Sequence, residues 1–154
     1  MPPATSHWPV ETALAAWAIA GSIDLAAATT FSAIRGTGPK RVLQAIASAL
    51  IGPKAFERPA FAMLGLALHF LIALTVASVY VGASLYLHAL DQHPFVSGPL
   101  YGISVHLVMT FIVLPLSRLK RPFSAIFFSV QFLIHAFCVG LPIALVTRYF
   151  ANLA

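Results

Sequence analysis

Four apolar stretches, at about 13–34, 61–87, 98–116 and 124–146, leave this chain few possible folds. A helix needs roughly 20 apolar residues to cross a hydrocarbon core ~30 Å thick. Four crossings and their connections use up the 154 residues, leaving no length for a soluble catalytic domain. The runs lack the every-second-residue alternation of a transmembrane barrel strand. The expected fold class is therefore all-α: one domain over residues 1–154, an integral membrane four-helix transmembrane bundle. Composition agrees, since 60% of residues are hydrophobic and 8% charged, where soluble domains carry about 45–50% and about 25%. So little charge excludes a disordered or nucleic-acid-binding chain, and the lipid bilayer is the expected partner. The single cysteine, Cys138, rules out intramolecular disulfides, CxxC pairs and four-cysteine zinc sites.

Charge placement predicts orientation. Arg35, Lys40, Arg41, Lys54 and Arg58 lie in the first connection, and Arg118, Lys120 and Arg121 in the third. The second connection, with His88, Asp91 and His93, has no lysine or arginine, and only Arg148 lies near the C-terminus. The positive-inside rule puts loops 35–60 and 117–123 in the cytoplasm and both termini outside, in the periplasm of a bacterial inner membrane. Residues 1–10 hold no lysine or arginine, so the N-terminus lacks the positive region of a cleaved signal peptide and the first span is expected to stay. His7 and Trp8 suit the membrane interface, and the His88–His93 segment reads as a solvated turn.

Within the first connection, residues 41–51 place Val42, Leu43, Ile46 and Leu50 near one helical face, bracketed by Gly38-Pro39 and Gly52-Pro53. This predicts a short helix lying at the interface, with Lys40, Arg41 and Lys54 near lipid headgroups.

One ionisable residue interrupts each span: Asp24, His69, His106 and His135. Such groups are costly in hydrocarbon, at least ~2.5–3.5 kcal/mol for an aspartate on insertion scales. Counting from the nearest cytoplasmic arginine at ~1.5 Å per residue puts them ~16, 16, 18 and 21 Å deep. All four fall in one band near the midplane. Small residues share their faces, as in Gly98, Gly102, His106 and Thr110 at steps of four, and Tyr80, Thr110 and Gln131 could lend hydrogen bonds. Pro115 and Pro142 each free a carbonyl one turn earlier.

Several readings fit these residues. Polar glue between helices needs no ligand. A midplane site for a proton-coupled small solute or a metal ion would use Asp24 as the anionic anchor, the histidines as ligands or proton carriers, and Tyr80 and Gln131 as supporting donors. A metal would draw on His69, His106, His135 and Asp24, and two histidines at equal depth could ligate haem b. Cys138 reads as a small core residue or a soft ligand. No glutamate lies inside a span, which excludes a di-iron carboxylate centre, and no GxSxG-like context suggests a serine hydrolase. A non-catalytic accessory subunit of a larger membrane complex is the alternative from another class. Four spans are few for alternating access, which suggests a homo-oligomer.

From the second span onward the chain resembles the YagU-like family of small bacterial inner-membrane proteins, over about residues 62–141. The resemblance rests on His69 and Tyr80 eleven apart, the opening from Gly98 to Gly102, Leu114-Pro115-Leu116, and His135 mid-way along the last span. It departs at Asp24, which has no counterpart, in the first loop, and at His106 and Thr110, where a different polar residue and a histidine are usual. The family has no assigned activity, so the resemblance implies membership and membrane location.

Overall fold

The computed structural model describes residues 8–119 and 122–153, so the expectations for His7, Lys120 and Arg121 lie outside the described residues. Six helices account for nearly all of it: α1 (Trp8–Ile34), α2 (Pro39–Ile51), α3 (Phe61–Ser84), α4 (Ala89–Gln92), α5 (Pro94–Leu116) and α6 (Ala125–Ala151). There is no strand among the described residues. α1, α3, α5 and α6 are the helices long and apolar enough to cross a membrane. They make an all-α four-helix bundle, and the chain is a multi-pass integral membrane protein by length and apolarity.

The spans begin and end somewhat differently from the apolar runs. α1 starts at Trp8 and α5 at Pro94, several residues before the hydrophobic stretches. Proline at the first helical position gives up no hydrogen bond, so Pro94 and, in α2, Pro39 open helices that apolar periodicity alone would start later.

Two cross-links show that the spans alternate in direction. The Arg118 amide donates to the Ala49 carbonyl at 2.9 Å, bringing the end of α5 to α2. At the opposite end, the Arg148 guanidinium donates to the Gln92 carbonyl at 3.0 Å, bringing the C-terminal turn to α4. α1 packs between α3 and α6, and α5 packs against α6.

Close approach of helices follows from glycine. A Cβ at Gly102 would overlap the His135 carbonyl oxygen, and one at Gly140 would overlap the Gly98 carbonyl oxygen. α5 and α6 therefore touch backbone to backbone, as small residues allow in a lipid setting where apolar packing alone does not drive association. Where α3 and α5 stand further apart, tyrosines bridge them. The Tyr101 hydroxyl donates to the Val76 carbonyl at 2.7 Å, and its ring meets Tyr80 at 4.9 Å.

α5 and α6 each contain a π-helical turn, at Met109–Val113 and His135–Gly140. Each ends one residue before a Leu-Pro pair, with the Leu114 amide donating to the Met109 carbonyl and the Leu141 amide to the Ala136 carbonyl. Pro115 and Pro142 lack the amide that would continue the regular ladder, and the wider turn re-satisfies the backbone around the gap.

α2 packs closely against α3. Its backbone at Leu43 occupies the space where a Gly65 side chain would stand, and the buried Gln44 amide donates to the Arg58 carbonyl at 3.1 Å. The turn that follows needs Gly52, whose φ of +69° is left-handed.

Elsewhere the apolar surface points outward. Leu14, Met63, Leu71, Val79, Phe111, Ile126 and Leu133 are all exposed on the spans. A soluble protein does not leave such contiguous faces bare, so lipid contact is their expected environment.

α1 and α3 are clasped reciprocally. Trp17 Nε1 donates to the Phe70 carbonyl at 2.7 Å, and the His69 ring bonds the Gly21 carbonyl at 2.8 Å. Trp17→Phe keeps the edge-on ring contact with Phe70 but removes the donor. It is expected to cost about 0.6 kcal/mol, and no more than ~1.7, in thermal or denaturant unfolding of the detergent-solubilised protein.

Candidate functional site

The four ionisable residues of the spans come together as two pairs, and three of the four line one cavity. Asp24 Oδ2 lies 4.0 Å from His69 Nδ1, which is the one ion pair among the described residues. The His106 and His135 rings stand 5.0 Å apart, centre to centre. Asp24, His69 and His135 line a cavity of about 130 Å³, whose walls include Gly21, Ile46, Met109 and Val139. Every span contributes a wall, and Ile46 brings in α2. At ~30 Å³ per water, this holds about four water molecules, or one small ion or solute with partial hydration.

Hydrogen bonding fixes which ring nitrogen carries the proton. A carbonyl oxygen can only accept, so His69 Nε2, 2.8 Å from the Gly21 carbonyl, is a donor. In neutral His69 the lone pair then sits on Nδ1, the nitrogen nearest Asp24. A carboxylate and a bare imidazole nitrogen repel each other there. A single proton placed between Asp24 and His69 Nδ1 would turn that repulsion into a hydrogen bond. The other carboxylate oxygen, Oδ1, is buried and has no partner.

His135 is set by the same logic. Its Nδ1 lies 2.9 Å from the Gln131 carbonyl and must donate, which leaves Nε2 as the basic nitrogen. His106 is 4% exposed, sits against Phe128 at 4.8 Å and Phe132 at 6.1 Å, and its Nε2 is buried without a partner. Buried polar atoms left unpaired cost free energy, and here three lie on different spans: Asp24 Oδ1, His106 Nε2 and Gln131 Oε1.

The remaining residues singled out from sequence go elsewhere. Tyr80 lies eleven residues, or ~16 Å, along α3 from His69, and its hydroxyl bonds the Leu90 carbonyl and Ser97 Oγ at 2.9 and 2.8 Å. It ties α3 to the α4–α5 junction and does not line the cavity. Thr110 stands in the π-turn beside Met109, which does line the cavity, but Thr110 itself does not. Gln131 acts through its backbone carbonyl, and its side chain is not a cavity wall. Cys138 is a half-buried free thiol in the second π-turn. The turn expected around Asp91 is the short helix α4, with Asp91 Oδ1 buried.

Two of the cofactor expectations meet a poor fit. Among the described residues, no three His, Cys, Asp or Glu side chains converge closely enough to hold a metal ion, so His69, His106, His135 and Asp24 do not form the metal set. Haem b is also a misfit. Cofactor pockets run to ~300–1,000 Å³, and the 5.0 Å between the His106 and His135 rings leaves no gap for a macrocycle.

Sequence reasoning overlooked two contributors. The Gly21 carbonyl selects the His69 tautomer, and a main-chain atom leaves no mark in a residue pattern. Ile46 reaches the cavity because α2 packs against α3, and the side of α2 that is buried carries Gln44, Ala47 and Ser48 while Leu50 of the expected apolar face is exposed.

Comparison with protein-family models, with curated proteins and with solved structures gives no match in any of the three.

Proposed function

We propose that this protein carries a small polar solute or ion across a bacterial inner membrane together with a proton, and that the Asp24–His69 pair is the proton's binding site. The supporting observation is the fixed His69 tautomer, which leaves a basic nitrogen facing an incompletely bonded carboxylate beside a water-sized cavity. Intramembrane carboxylate–histidine pairs mark ion pathways in transporters because their burial is otherwise too costly to keep. The cavity volume limits the cargo to something the size of a few waters. His135, on the same cavity, would be the second proton acceptor, with His106 behind it.

The described basic residues Arg35, Lys40, Arg41, Lys54, Arg58 and Arg118 gather toward one end of the bundle, which supports a cytoplasmic face there and periplasmic termini. Membership of the YagU-like family is part of the same proposal and rests on the residues of α3, α5 and α6 that carry the resemblance.

Purified protein in sealed liposomes under an imposed pH gradient, followed with a trapped pH-sensitive dye, tests the reading. The gradient should collapse faster than in protein-free liposomes once the permeant solute is present, screened among small ions and small neutral solutes. Equal decay with and without protein across that screen would leave the cluster as interhelical packing.

A further inference from the structure

A second polar pocket lies outside the midplane site. It has a volume of about 420 Å³ and sits beside the start of α2, lined by Lys40, Arg41, Gln44, Phe56, Glu57 and Pro59. The segment that forms it joins the end of α1 at Ile34 to the start of α3 at Phe61, so it sits at the level where two spans leave the hydrocarbon. Its volume falls in the ~300–1,000 Å³ range of ligand pockets, unlike the midplane cavity.

The walls are held in place. The Arg41 guanidinium lies over the Phe56 ring at 4.6 Å, which fixes a long side chain that would otherwise be free to sample many rotamers. Gln44, only 4% exposed, bonds the Arg58 carbonyl and anchors α2 against the chain entering α3. Phe56 and Pro59 supply apolar wall. Neither Lys40 nor Arg41 forms an ion pair with Glu57 among the described residues, although all three line the same pocket. Two cations and a carboxylate thus face one space without neutralising each other. An occupant that satisfies both signs must carry an anion and a hydrogen-bonding cation a short distance apart.

We propose that this pocket binds the phosphoethanolamine headgroup of a membrane lipid, with its phosphate on Lys40 and Arg41 and its primary ammonium on Glu57. Guanidinium recognises phosphate through paired N–H donors, and the pre-placed Arg41 gives up little freedom on binding. The ammonium can donate to the Glu57 carboxylate; a quaternary choline has no N–H to donate, and a phosphoglycerol has no cation. Lys54, expected from sequence to share this role, is not part of the pocket.

Native mass spectrometry of the protein released from nanodiscs of equimolar phosphatidylethanolamine, phosphatidylglycerol and phosphatidylcholine provides the test. The wild type should retain phosphatidylethanolamine over the other two. Arg41→Ala should lower that retention about tenfold, the loss expected for one charge-assisted contact. Glu57→Gln should abolish the preference over phosphatidylcholine while retaining binding. Both substituted residues are exposed, so the variants should fold, with unchanged helical circular dichroism as the control. Equal retention of all three lipids, or retention indifferent to Arg41→Ala, would overturn the proposal. So would binding of soluble phosphoethanolamine as tightly as the lipid, since the ligand would then be a free phosphate ester.

Discussion

Gly140→Ala is expected to yield no folded protein, whereas Gly82→Ala should fold at least as well as the wild type. The two substitutions add the same methyl group to a helix. At Gly140 it would overlap the Gly98 carbonyl oxygen and come within 2.6 Å of the Gly102 amide nitrogen, and none of those atoms can rotate aside. Relief requires α5 and α6 to separate along their whole crossing. Overpacking against movable side chains already costs ~1–3 kcal/mol, and backbone overlap should exceed that, against a total stability of ~5–15 kcal/mol. At Gly82 a Cβ meets nothing within 4 Å, so only helix propensity acts, in favour of alanine by about 1 kcal/mol. Monodispersity on size exclusion and thermal unfolding in detergent read both outcomes. A Gly140→Ala protein that melts at the wild-type temperature would mean that the helices do not cross this closely.

The spans themselves were legible because the bilayer sets a length and a polarity that a sequence must meet. The alternation of basic and non-basic connections likewise matched which ends of the bundle lie together, as Arg118 on Ala49 and Arg148 on Gln92 show. The small-residue spacing at Gly98 and Gly102 pointed to a helix crossing, but its partner, the stretch from His135 to Gly140, could only come from three-dimensional packing. α2 was read as a helix from its apolar face. How the helix seats depends on Gly65, in the next helix, leaving room for the Leu43 backbone, and what it buries is Gln44, Ala47 and Ser48 rather than Leu50.

For the candidate site, depth counting gathered Asp24, His69, His106 and His135 but could not sort them. Residue spacing along a helix gives height and face, not distance across the bundle. Hence it grouped Tyr80 with the cluster by face, while some three turns of helix carry its hydroxyl to Leu90 and Ser97. It also left a four-ligand metal set open, which the split into an Asp24–His69 pair and a His106–His135 pair disfavours.

That pairing makes Asp24→Asn the most informative change at the midplane. The asparagine amide presents a permanent N–H to the bare His69 Nδ1, so it mimics the protonated pair and cannot release the proton. Asparagine removes a charge that is costly to bury and keeps a hydrogen bond to the uncharged His69. The expected result is an unchanged or raised melting temperature, together with loss of gradient collapse in liposomes by ~100-fold or more, the scale of removing a positioned proton-transfer group. His69→Phe should behave differently. It deletes the bond to the Gly21 carbonyl, loosens the α1–α3 clasp and lowers the melting temperature as well as the flux. A pure packing role predicts that Asp24→Asn, which still bonds His69, keeps the melting temperature and that neither it nor the wild type collapses the gradient. The two variants measured side by side therefore separate a proton site from interhelical glue: a proton site needs the carboxyl group to titrate, and glue needs only a hydrogen bond.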